Sequence, residues 1–221
     1  METLREPSSI AHRLREGLER IATVLRGDQW RRATTLSLNP TQLLILELLQ
    51  ARPAGLSVKA IAVHLGVSQP TATDSIAALA RKGLVATRER ETDRRSSIVQ
   101  LSHKGHALLE TDGNSGRGEQ ALAMLGNGEQ EALLSSLVKV ITHLQALDAI
   151  PVQRMCVNCR HFAPFVHPGA DNPHHCRFVD AAFGQRDIRI DCRDHDNADP
   201  ASQAATWAAY QQGLAPPPPG S

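Results

Sequence analysis

All four cysteines of this chain stand within 37 residues, in the pattern Cys156-x2-Cys159-x16-Cys176-x15-Cys192. A Cys-x-x-Cys turn aims two thiolates at one point, and two more from distant loops complete a four-sulfur ligand set. The segment around them, 151–199, is poor in aliphatic residues. A module of that size needs a staple to stay folded, and a bound metal supplies such folding energy. Two disulfides are the lesser reading, because thiols inside cells are kept reduced. Aromatic residues are skewed the same way. All four Phe fall between 162 and 183, while Trp30 is the only aromatic residue before 151. Two modules with different cores follow: an aliphatic one over 1–150 and a Cys/Phe/His one over 151–199. A flexible Pro-rich tail is expected over 200–221, ending in APPPPGS.

The apolar share of 41% and charged share of 21% are ordinary for a globular protein. No apolar run approaches the ~20 residues of a membrane span. The opening METLREPSSIAHRLREGLER is charged and carries no apolar core of a secretory signal. A cytoplasmic protein is expected. The net charge of +1 hides an asymmetry, since 52–104 hold nine Lys/Arg against four acids.

Residues 8–26 carry Ile10, Leu14, Leu18, Ile21 and Leu25 at three- and four-residue spacing, which predicts a helix ended by Gly27-Asp28. Asn39-Pro40 starts the next, a central buried helix through TQLLILELLQ. Ser57 and Ser68 cap two short helices joined at Gly66, and Gly83 ends the second; this is a helix-turn-helix. Two β-type runs follow, 84–90 and 96–102, with Arg94 and Arg95 in the connecting tip: a wing. Helix resumes at His103, the glycines of 111–118 break it, and 129–149 form a long amphipathic helix. Its apolar face carries Leu133, Leu134, Leu137, Val140, Ile141, Leu144 and Leu147.

The segments PTQLLILELL, LSVKAIAVHLGVSQPTATDSIAALARKGLV, DRRSSIVQLSHKG and GNGEQEALLSSLVKVITHL resemble the MarR family of bacterial transcription regulators over residues 8–148. The resemblance implies a mostly α fold with a small β-wing (α+β), a winged helix-turn-helix between N- and C-terminal dimerisation helices. It implies a homodimer on double-stranded DNA with a pseudo-palindromic operator. The exposed start of the second short helix offers Ser68, Gln69, Thr71 and Thr73 to base edges or phosphates. Arg94 and Arg95 suit a narrow minor groove, and Arg81, Lys82, Arg88 and Arg90 suit phosphates. Family members often carry Arg at the position of Asp74, so readout by this helix departs from the common pattern.

For the cysteines, the lone spacing of Cys176 and Cys192 and the surrounding Phe162, Phe165, Phe178, Phe183 and Ile190 favour an iron–sulfur cluster (4Fe-4S or 2Fe-2S). Zinc is the alternative. His161, His174, His175 and His195 are candidates to replace a cysteine or to sit just behind the ligands. No nucleophile–His–acid spacing, phosphate loop or carboxylate pair stands out, so the chain reads as a non-enzyme. The expected function is a DNA-binding repressor whose cysteine module senses redox state, oxygen or nitric oxide. A regulator with a structural zinc and small-ligand sensing is one alternative, and a redox or electron-transfer accessory protein is another.

Overall fold

The structure is a computed structural model; it describes residues 9–90, 93–110 and 116–214, with side chains at all of these except 89–90 and 93–96. The chain divides into two compact units, Met1–Leu125 and Gly126–Ser221.

In the first unit, α1 spans Ile10–Thr35 with Ser9 as its N-cap, so the helix does not stop at Gly27-Asp28. A lone glycine costs a helix only ~1 kcal/mol, and the Asp28–Arg31 ion pair supports the turn just after Gly27. The Asp28 carboxylate also accepts from the Gly118 N–H at 2.8 Å, which ties α6 (Arg117–Ala123) to α1. That bond, foremost, holds the Asp28 carboxyl below its usual value. Helix α2 (Pro40–Gln50) has Asn39 and Gln42 in a reciprocal capping box and buries Leu43, Ile45, Leu46 and Leu49 almost completely. It is the centre of the aliphatic core, as its all-round apolar sequence predicts. Arg32 reaches Glu47 and pins α1 to it.

The helix-turn-helix consists of α3 (Val58–Leu65) and α4 (Gln69–Arg81), capped by Ser57 and Ser68, with Gly66 left-handed at the turn (φ 63°). Strands β2 (Val85–Arg90) and β3 (Asp93–Leu101) form the wing, and a bulge between Glu89 and Arg90 shifts its register near the tip. A two-residue strand, β1 (Leu56–Ser57), adds to β3, giving the order β1-β3-β2. It can do so because Gly55 has φ 78°, and because a Cβ there would lie 2.6 Å from the Val99 carbonyl oxygen. Helix α5 (His103–Glu110) follows the wing.

The second unit opens with α7 (Asn127–Ala146). Sequence periodicity gives this helix one apolar face, but it has two. Val138 is fully buried, and Leu134 and Ile141 pack with it into the core of the cysteine module. Val140 and Leu147 remain exposed on another face. The composition break near residue 150 thus lies inside the second unit. A three-stranded antiparallel sheet follows, β4 (Phe162–Ala163), β5 (His174–Cys176) and β6 (Ala181–Phe183), in that order.

The expected flexible tail over 200–221 is corrected for its first part. Pro200–Gly213 form α8, with Asp199 as N-cap accepting from Ala201 and Ser202 and Pro in its first turn. Tyr210 on this helix is fully buried and Trp207 packs beside it. Gly213 lets the Phe165 ring lie against the helix, since a Cβ there would fall 2.1 Å from a ring carbon. Residues 215–221 lie outside the described part. Among the described residues, no helix is long and apolar enough to cross a membrane.

Candidate functional site

Two surfaces stand out, one in each unit. In the first unit, Ala72, Ser75, Ile76 and Leu79 bury one side of α4 and hold it in place. The other side leaves Ser68, Gln69, Thr71, Thr73, Arg81 and Arg88 of the neighbouring strand exposed. The Ser68 hydroxyl accepts from the Thr71 N–H at 3.2 Å and lies 2.8 Å from the Thr71 hydroxyl. Thr73 donates its hydroxyl back to the Gln69 carbonyl at 2.9 Å. The helix start is therefore capped, with the Thr71 and Ala72 N–H groups held by Ser68 and no N–H on Pro70, so what it offers outward is the exposed side chains of Ser68, Gln69, Thr71 and Thr73. Lys82 has another occupation: its ammonium donates to the Ser37 carbonyl at 2.6 Å, and Lys104 donates to the Lys82 carbonyl at 2.9 Å. Arg90, Arg94 and Arg95 lie on β2 and β3; their side chains, and residues 91–92, are outside the described part.

In the second unit, Cys156, Cys159, Cys176 and Cys192 all line one cavity of about 560 Å³ and all are free thiols. Cys156 and Cys159 flank a single turn of 3-10 helix, Cys156–Asn158, closed by the Cys159 N–H on the Cys156 carbonyl at 2.9 Å. Cys176 arrives on β5, opposite Phe162. Cys192 is set beside the first pair because its N–H donates to the Arg154 carbonyl at 2.9 Å and the Cys156 N–H donates to the Arg189 carbonyl at 3.0 Å. Burial, foremost, pushes the Cys156 thiol up to about 11. Without a cation this sulfur stays protonated at neutral pH. Among the described residues, no three of His, Cys, Asp and Glu draw together as one metal ion would require. The cysteines edge a cavity rather than a point.

The apolar part of the wall is Phe162, Phe178, Val179, Ala181, Phe183 and Ile188. Phe165 and Ile190, expected there too, belong to the packed core instead, and Phe165 stacks on Tyr210 at 6.2 Å between centroids. Of the four candidate histidines, His161 lines the cavity, with its ring 5.5 Å from that of Phe178. His174 is fully buried elsewhere: its Nδ1 accepts from the Phe165 N–H at 3.3 Å and its Nε2 donates to Gln185 Oε1 at 2.9 Å. Burial lowers its pKa, which keeps it neutral. His175 lies between His167 (3.3 Å) and Asp180 (3.1 Å), and His195 meets Asn158 Oδ1 at 2.7 Å.

Two residues of this unit carry no sequence signal as functional. Gln185 donates to Ser135 of α7 at 2.8 Å and to the Tyr210 hydroxyl at 2.6 Å, while accepting from His174. It joins the sheet, α7 and α8 at one amide. Arg189 lines the cavity and donates from Nη1 to Cys192 Sγ at 3.8 Å.

Residues 36–96 match the model of the MarR family. That segment contains α2, the helix-turn-helix and most of the wing. A MarR transcriptional regulator from Methanosarcina mazei Go1 is similar in structure, with 16% identity, 62% of this chain and 99% of that one covered, and a TM-score of 0.51. CouR from Rhodococcus jostii RHA1, bound to p-coumaroyl-CoA, is similar at 15% identity, 66% and 98% coverage and a TM-score of 0.50. CouR bound to a 23-mer DNA duplex matches at 28% identity, 60% and 92% coverage and a TM-score of 0.43. A search of curated proteins finds no match. The fold is that of the MarR-type winged helix.

Proposed function

We propose that this chain is a DNA-binding transcriptional regulator, a repressor that acts as a homodimer on a pseudo-palindromic operator. We further propose that its cysteine module holds an iron–sulfur cluster that reports redox state, oxygen or nitric oxide. The observation that carries the DNA-binding part is the winged helix-turn-helix, with the capped start of α4 exposed and a cationic wing in the same unit. A helix of this kind enters the major groove with its first residues at the base edges. The dimer rests on the stripe Ile10, Leu14, Leu18 and Ile21 along α1, exposed at 65%, 61%, 49% and 47%. An apolar stripe of that length marks an interface, and a two-fold dimer sets two half-sites about one DNA turn apart.

One feature supports a cluster: the four cysteines line one cavity together with Phe162, Phe178, Phe183 and Ile188. A cluster is wider than an ion and is tuned by burial and by hydrogen bonds to its sulfurs. A change of state at Cys192 and Cys156 would be passed along 185–192 to Gln185 and so to Ser135 of α7.

Replacing Arg94 and Arg95 together by Ala is expected to weaken operator binding by ~1–3 kcal/mol and to flatten its salt dependence, with dimerisation intact by sedimentation. Unchanged affinity and slope would remove the wing from the interface. Protein purified without oxygen is expected to be brown, to contain iron and sulfide, to bleach in air, and to bind its operator differently afterwards. A colourless preparation with zinc in place of iron would leave a structural metal site and put sensing elsewhere.

A further inference from the structure

We propose that Arg189 is a positioning residue of the four-cysteine site, holding two of its sulfurs and offsetting the net negative charge of the loaded site. This rests on the reading of the cysteines as ligands.

The backbone of Arg189 is locked to Cys156 in both directions. Its carbonyl accepts from the Cys156 N–H at 3.0 Å, and its own N–H points at Cys156 Sγ at 3.3 Å. Its guanidinium then reaches forward to Cys192 Sγ at 3.8 Å. One residue therefore bridges a member of the Cys-x-x-Cys turn and the last cysteine of the set. Those two belong to segments far apart in sequence; the Cys192 N–H on the Arg154 carbonyl and the Arg154–Asp191 ion pair join the same segments, but among the described residues Arg189 is the one that reaches the two sulfurs themselves.

The charge balance gives the arginine a second role. Four thiolates outweigh the positive charge of a divalent ion or of the common clusters, so the loaded site keeps a net negative charge. Asp187 and Asp194 line the same cavity and add to it. Arg186 also lines it, but its guanidinium faces Glu131 of α7 at 3.7 Å. The Arg189 guanidinium lies on a sulfur. N–H donors to ligand sulfur withdraw charge from it, and with a cluster bound this raises the reduction potential. Groups that support metal ligands in this way typically change metal affinity by about 10–100-fold when removed.

The test uses full-length, anaerobically purified protein carrying Arg189→Gln, Arg189→Lys or Arg186→Gln. Every variant keeps the backbone N–H to Cys156. Folding is checked by circular dichroism, then iron per chain, iron loss to excess EDTA and the midpoint potential in a dithionite titration are measured. Arg189→Gln is expected to lose iron at least several-fold faster and to shift the potential to more negative values. Arg189→Lys should recover most of the potential, because charge is retained, and part of the retention. Arg186→Gln should behave as the parent. Iron-loaded Arg189→Gln with parental loss rate and potential overturns the proposal while leaving the cluster in place. If the parent holds zinc instead, the cluster reading fails on its own, and zinc release to EDTA decides Arg189: faster release from Arg189→Gln supports it, and equal release overturns it. Should Arg189→Gln fail to fold, Arg189→Lys carries the same comparison, and parental behaviour in every measurement overturns the proposal.

Discussion

Cys176→Ala is expected to cost the protein most of its bound metal and, with it, the folded state of the second unit. The core of that unit is small: Val138, Met155, Val157, Cys159, Phe162, Ile188 and Tyr210 are its buried members. Structural zinc adds about 10–16 kcal/mol of apparent folding energy in zinc-finger peptides, as much as a whole domain's net stability of ~5–15 kcal/mol, and a bound metal or cluster here acts in the same direction. On the proposed reading Cys176 is the thiolate delivered by the sheet, on β5. The same loss is expected from Ala at Cys156, Cys159 or Cys192. His161→Ala, also on the cavity wall, should keep its metal. Metal content per chain and near-ultraviolet circular dichroism report both effects. Full metal content in Cys176→Ala would show that the four cysteines are not one ligand set.

Tyr210→Ala is expected to destabilise the second unit by ~3–5 kcal/mol, the range for removing a large buried ring. Leaving the Gln185 amide without its hydroxyl partner adds ~1–3 kcal/mol for an unsatisfied buried group. Tyr210→Phe, which removes only the hydroxyl, should cost just that ~1–3 kcal/mol. The first unit's core, from Ala33 to Leu109, shares no residue with the one Tyr210 belongs to. Its thermal transition should therefore stay where it is while the other moves down. A Tyr210→Ala protein that melts like the parent would show that α8 does not support the fold.

Much of the first unit was legible because its signals are local. Asn39-Pro40, Ser57 and Ser68 cap helices through bonds three residues long, and Gly66 and Gly83 end them with backbone that other residues rarely adopt. The apolar period in α2 and the β-type alternation of the wing need no knowledge of the rest of the chain. The four cysteines were legible for a chemical reason: thiols grouped so closely have few other uses. Gln185 and Arg189 were not legible. A glutamine or arginine becomes functional only through what the fold sets opposite it, and their partners lie 11 to 50 and 3 to 33 positions away.

Helix α8 shows where local reading stops. Ala-Ala-Thr-Trp-Ala-Ala-Tyr has helix-forming residues but little amphipathic contrast, and the proline tract after it has the composition of a tail. Only the pocket formed by Phe162, Phe165, His174 and Gln185 gives Tyr210 a place to be buried. The same applies to α7, whose sequence carries two apolar rows. Which of them is covered within this chain depends on where the cysteine module packs, and that puts Val138 inside and leaves Val140 out. The amino-acid order by itself accounts for the helices, their caps, the wing and the grouping of the four cysteines, all of which rest on bonds between near neighbours or on the chemistry of single residues. Only the tertiary structure decided which apolar face meets which partner, and which polar side chains reach the cysteines, because those contacts join segments that periodicity and capping cannot relate.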